Sequence, residues 1–148
     1  MRRPGESWLT AAAWLTAGAA LLHLAIIAGG ADWYRFFGAG ERMARMAEQG
    51  SPGPALITLA IAGVLATGSA YALAGAGRIR RLPLLRTALV AIAAIFLLRG
   101  LALLPILAMQ GGRVAAFTWW SSLVVLAYGI TYAVGTYRAW PALRRPAS

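Results

Sequence analysis

Arg99, His23 and Glu41 are the side chains whose type and placement could carry chemistry in this chain. Arg99 interrupts segment 83–106, which is otherwise almost entirely Leu, Ala, Ile and Val. A guanidinium inside a membrane-spanning helix costs roughly 2.5–3.5 kcal/mol on insertion scales. Such a residue faces a bundle interior, a wet cavity or a partner. As a ligand group, Arg99 would clamp a carboxylate or phosphate. As a structural group, it would pair with Glu41 or Asp32, stack on Trp119 or Trp120, or extend to the interface. His23 offers a general base or proton relay, or a hydrogen bond between helices. Glu41 is either a surface ion-pair residue or the counter-ion that folds over Arg99.

Four apolar segments must position these groups: 8–29, 54–76, 83–106 and 115–137. Each covers a hydrocarbon core of about 30 Å at about 1.5 Å per residue. Backbone polar groups have no partner in lipid, so these segments are expected to be helices. The first is longer than the apolar run of a cleaved secretory signal, so it is expected to be retained as a span. The expected fold is all-α, a membrane-spanning four-helix bundle occupying 1–148 as a single transmembrane domain. His23 and Arg99 each fall about 22–24 Å from the starts of spans 1 and 3 by helical rise. Spans 2 and 4 run the other way, which brings Thr58, Trp119, Trp120, Ser121 and Ser122 to the same layer. The prediction is a polar pocket in the outer leaflet, with His23, Glu41, Arg99 and Trp120 as its ligand-binding candidates.

Charge sets the expected orientation. The net charge of +10 comes wholly from arginine. Arg2 and Arg3 precede span 1, Arg78, Arg80, Arg81 and Arg86 surround the second turn, and Arg138, Arg144 and Arg145 follow span 4. The opposite side has Arg35, Arg42, Arg45 and Arg113, with Asp32, Glu41 and Glu48 among them. The excess places both termini and the second turn in the cytoplasm. Arg80 and Arg81 are positioned to meet anionic lipid, and Arg86 to extend to the interface. Only 12% of residues are charged, against about 25% in soluble domains, so the positive charge belongs to a membrane protein rather than a nucleic-acid binder.

The loop 30–53 is the only substantial piece outside the spans. Its stretch 39–49 is expected to form a short external amphipathic helix. Glu41 precedes Arg45 by four residues, the favourable order for a helical ion pair, and Arg45 and Glu48 are three apart. Met43, Met46 and Ala47 supply an apolar face, Gly50 a C-cap, and Pro52 and Pro54 a stop and restart. Ala62, Ala66, Ala70 and Ala74, and Gly129 with Ala133, form small-residue stripes that let helices approach closely.

Several chemistries have no residues to support them. The chain has no cysteine and a single histidine, so thiolate catalysis, disulfides and a histidine-rich metal site are excluded within one chain. No nucleophile motif or phosphate loop is present, and no cofactor is implied. The segments LLHLAIIAGGADWYRFFGAGERMARMAEQGS, IRRLPLLR and LLRG resemble small four-span proteins of the bacterial inner membrane. The wider architecture is similar to the DoxX-like families. That resemblance implies the bacterial inner membrane and a four-span bundle, and it carries over no catalytic residue. The leading expectation is a non-enzymatic membrane protein that binds a lipid or small amphiphile, or serves as an accessory subunit. Its partners would be membrane lipids, a lipid-like ligand, and a second copy or another membrane protein. Two alternatives stand beside it: a small membrane enzyme acting on a lipid or quinone-like substrate, and an oligomeric channel or exporter.

Overall fold

A computed structural model describes residues 4–110, without the side chain of Gln110, and residues 116–144. Arg2, Arg3, Gly111, Gly112, Arg113, Ala115 and Arg145 therefore lie outside the described residues. The described chain is helical: α1 Glu6–Phe36, α2 Glu41–Glu48, α3 Gly53–Gly75, α4 Leu85–Leu101, α5 Leu103–Gln110 and α6 Ala116–Leu143. Four helical stretches are long and apolar enough to cross a membrane: Glu6–Phe36, Gly53–Gly75, Leu85–Met109 and Ala116–Leu143. Their outer surfaces are apolar. Trp14, Leu21, Val64, Ile95, Leu98, Leu104 and Met109 are all more than half exposed.

The helix boundaries depart from the apolar segments for local reasons. Helix α1 breaks at Gly30 (φ 66°, ψ −151°) and resumes through Phe36. That backbone region is essentially confined to glycine. The stretch 31–36, part of the expected loop 30–53, is therefore helical, and it carries Asp32 and Arg35 on a short extra turn. The third segment is interrupted at Ala102. Pro105 has no N–H for the Leu101 carbonyl, and its ring crowds that carbonyl, so α4 ends there. Helix α4 starts two residues later than its apolar segment, after Leu84 adopts a left-handed conformation (φ 53°). Helix α6 continues six residues past the expected end, to Leu143, and so holds Trp140 in helical register.

The residues fall into two compact units, 1–15 with 68–148, and 16–67. In the larger unit, Leu9, Ala12 and Ala13 pack with Ala72, Ala74 and Ala76, with Leu85, Leu89 and Ala93, and with Tyr132, Ala139 and Leu143. Small side chains dominate because apolar burial gives little drive between helices in lipid; close van der Waals contact must supply it. Ser69 Oγ donates to the Ala13 carbonyl at 2.8 Å, which pins α3 to α1. Helices α4 and α6 run antiparallel with glycines facing side chains. A Cβ on Gly129 would lie 2.8 Å from the Leu97 nitrogen, and one on Gly100 2.8 Å from the Leu126 Cα. The expected Gly129 stripe is thus a helix contact within the chain.

The smaller unit has its own core of Ile26, Tyr34 and Ala44, flanked by Ala31, Phe37, Met43 and Ala47. Helix α2 spans Glu41–Glu48, three residues shorter than the expected 39–49. Gly38 and Gly40 have positive φ just before it. Gly50 follows at φ 73°, with its N–H on the Ala47 carbonyl and that of Ser51 on Met46, a helix C-cap as expected. The buried centre of the apolar face is Ala44; Met43, Met46 and Ala47 are half-buried around it.

Candidate functional site

Each of the four sequence-predicted site residues has identifiable surroundings. His23 is half-buried in α1, and its Nδ1 lies 2.7 Å from the Ala19 carbonyl. A carbonyl only accepts, so Nδ1 carries the proton and Nε2 presents a lone pair when the ring is neutral. Glu41 opens α2 and is held by two nitrogens of Arg35 at 2.9 and 3.1 Å and by Arg45 at 3.3 Å. The expected Glu41–Arg45 pair is therefore present. Arg99 is exposed on α4, and its Nη1 lies 3.5 Å from Ser122 Oγ, at the outer limit of a hydrogen bond. Trp120, in the first turns of α6, is 69% exposed.

Arg35 is the organising cation of residues 16–67, a role not expected from sequence. Its guanidinium reaches Asp32 at 3.5 Å, Glu41 at 2.9 Å and Glu48 at 2.8 Å. Glu48, expected opposite Arg45, is thus taken by Arg35. The Arg35 hydrogen bond holds the Glu41 carboxyl below its ordinary range, with Arg45 adding to the effect. This knot closes α2 onto the end of α1 and sets each of its carboxylates against Arg35. Beneath it, the Tyr34 hydroxyl is buried without a hydrogen-bond partner.

A different arrangement appears along the seam between α4 and α6. Arg86 opens the seam, with its guanidinium carbon 4.1 Å from the centre of the Trp140 ring. Its Nε is buried and has no hydrogen-bond partner. Arg81 closes the other side of the mouth by donating from Nη2 to the Ala142 carbonyl at 3.0 Å. The mouth is a cleft of about 800 Å³ whose remaining walls include Leu84, Val90, Trp140 and Leu143. Val90 and Trp140 also line an adjoining trough of about 450 Å³, with Ala93, Leu97, Ala133 and Thr136. Arg86, Val90, Ala93 and Leu97 fall on one face of α4 at steps of three and four residues, which makes the cleft and trough one continuous track.

Among the described residues, the guanidinium–ring contacts are Arg86 on Trp140 and Arg138 near Trp8 at 5.8 Å. Arg99 reaches Ser122 instead. Arg86, read from sequence as an arginine extending to the interface, is half-buried against an aromatic ring. Neither the stripe running from it nor its pairing with α6 was read from the sequence. Among the described residues, no three His, Cys, Asp or Glu side chains gather as metal ligands would. Comparison with known protein families, known proteins and solved structures gives no match.

Proposed function

We propose that this chain is a multi-pass protein of the bacterial inner membrane that holds a lipid or other amphiphile rather than transforming one. Its four long helices form a bundle with α2 outside, and both termini and the arginine-rich turn at 78–81 face the cytoplasm. The apolar outer surfaces of the helices support this reading, as does the distribution of arginine. The resemblance to small four-span and DoxX-like proteins agrees with it. The observation that carries the binding role is the α4–α6 seam. A cationic mouth opens into an apolar trough, the complement of a molecule with a polar head and a hydrocarbon tail.

Ala94 lines the trough and is exposed, so Ala94→Phe fills the space without replacing a core residue. Native mass spectrometry of the protein released gently from membranes tests the role. Wild type is expected to retain an amphiphile, and Ala94→Phe to lose it. Wild type with no retained adduct would overturn the binding role.

One observation favours a second reading, a membrane enzyme acting on a quinone-like substrate. The Nδ1 bond of His23 to Ala19 orients an Nε2 lone pair as a proton acceptor. In that case His23→Gln would abolish turnover of a reduced quinone in vesicles while leaving the retained amphiphile unchanged.

A further inference from the structure

We infer that the α4–α6 seam binds an anionic glycerophospholipid, its phosphate held in the mouth by Arg86 and Arg81 and one acyl chain laid in the trough past Thr136. This rests on the amphiphile-binding reading above and names the class of amphiphile.

The first ground is the state of Arg86. Placing Trp140 against the face of the guanidinium leaves hydrogen bonding to its in-plane N–H groups. Nε is buried and unpartnered, and a buried donor without an acceptor is costly. A phosphate presents several acceptor oxygens and matches the planar fork of an arginine, two bonds at a time. Arg81 adds a second guanidinium at the mouth, tethered by one nitrogen to Ala142.

The second ground is charge. Glu6 is the only acid in residues 1–15 and 68–148, and it lies 3.3 Å from Arg78. The mouth thus holds two cations with no carboxylate supplied by its own unit. A neutral amphiphile, such as a sterol or a quinone, would leave them uncompensated.

The third ground lies inside the trough. Thr67 and Thr131 donate to carbonyls four residues back, at 2.8 and 2.7 Å, which is how a hydroxyl on an apolar helix is ordinarily satisfied. Thr136 lines the trough, is 4% exposed, and its Oγ1 has no partner. An ester carbonyl just below a lipid phosphate is an acceptor for that hydroxyl. From Arg86 to Leu97 the track runs about 16 Å at the helical rise, long enough for much of an acyl chain. A free phosphate would use the mouth and leave the trough empty, so the lipid accounts for both.

The test uses the full-length protein, stripped of lipid in a neutral detergent and followed by native mass spectrometry. Phosphatidylglycerol and phosphatidylcholine with the same acyl chains are added at equal concentration, with and without inorganic phosphate. Wild type is expected to prefer phosphatidylglycerol about tenfold or more, the scale of one charge-assisted hydrogen bond. Arg86→Gln should bring phosphatidylglycerol down to the phosphatidylcholine level. Arg86→Lys, which keeps the charge but loses the fork, should fall between them. Thr136→Val, nearly the same shape, should weaken both lipids alike, and it keeps the test open if the Arg86 variants unfold. Equal binding of the two lipids to wild type would overturn the anionic-lipid site and leave the amphiphile reading standing. Equal binding of both lipids to wild type and Ala94→Phe would overturn both. Full displacement of phosphatidylglycerol by inorganic phosphate would overturn the lipid in favour of a free anion.

Discussion

Residues 16–67 and the rest of the chain treat arginine in opposite ways. The smaller unit has three arginines, Arg35, Arg42 and Arg45, and three carboxylates, Asp32, Glu41 and Glu48. It gathers all three acids on Arg35 and is charge-neutral. The larger unit has Arg78, Arg80, Arg81, Arg86, Arg99, Arg138 and Arg144 among its described residues, against Glu6 alone. Apart from Arg78, which pairs with Glu6, the partners seen here are aromatic rings, a backbone carbonyl and a serine hydroxyl. Such partners orient a guanidinium without cancelling its charge. The same residue type is therefore a structural clasp where acids are at hand, and an anion-seeking group where they are not.

Breaking the seam on which the uncompensated arginines sit gives the largest expected effect. Gly129 touches the backbone of Leu97, so Gly129→Val must push α4 and α6 apart. Overpacking of this kind costs about 1–3 kcal/mol, and the backbone contact puts this site at the upper end. The midpoint of thermal unfolding in detergent should fall by several degrees, and retained amphiphile should be lost with it. An unchanged midpoint would show that the two helices are not pressed together there.

Arg99 sharpens the comparison from the other direction. It is exposed on an apolar helix and, among the described residues, makes one long contact, to Ser122. Without an anion in the membrane, its charge is a liability of roughly 2.5–3.5 kcal/mol near a helix centre. Arg99→Leu is expected to improve insertion by about 2.5 kcal/mol in a translocon insertion assay, and to leave the amphiphile at the α4–α6 seam in place. Loss of that amphiphile in Arg99→Leu would instead make Arg99 part of the binding machinery.

The spans were legible because lipid permits so few backbone solutions. Twenty apolar residues in a row force a helix whatever their order, and Gly30 and Gly50 announce their breaks. The break before Pro105 was not expected, since 83–106 reads as one span, although the missing N–H accounts for it. The seam was harder to read. In a helix of Leu, Ala, Ile and Val every face is apolar, so the stripe from Arg86 to Leu97 does not stand out until α6 lies against it. Arg35 was hidden for a related reason. Its role depends on the turn at 37–40 returning α2 to the end of α1, and no spacing rule relates Arg35 to Glu41 and Glu48 across that turn. Arg99, His23, Glu41 and Trp120 were singled out as the polar or interfacial residues of an apolar chain. Two of them, His23 and Glu41, are now seen to have close partners of their own.

The smallest expected effect lies in the knot around Arg35, because its pairs are exposed and exposed ion pairs contribute little. Glu41 is nevertheless held below its ordinary range by Arg35. A carboxylate depressed in the folded state adds stability above its unfolded pKa, about 4.3, and that stability is lost as pH falls through the folded value. Amide hydrogen exchange along α2 should therefore be unchanged between pH 7 and 5 once corrected for intrinsic rates, and then accelerate on further acidification. Arg35→Leu should produce the accelerated exchange already at pH 7, since three carboxylates then face one another without their shared cation. High salt should move wild type toward the same behaviour by screening the pairs. None of these changes should alter binding at the α4–α6 seam, whose cations answer to a ligand rather than to neighbouring acids. If acidification released α2 and the bound amphiphile together, the division of labour between the two sets of arginines would be wrong.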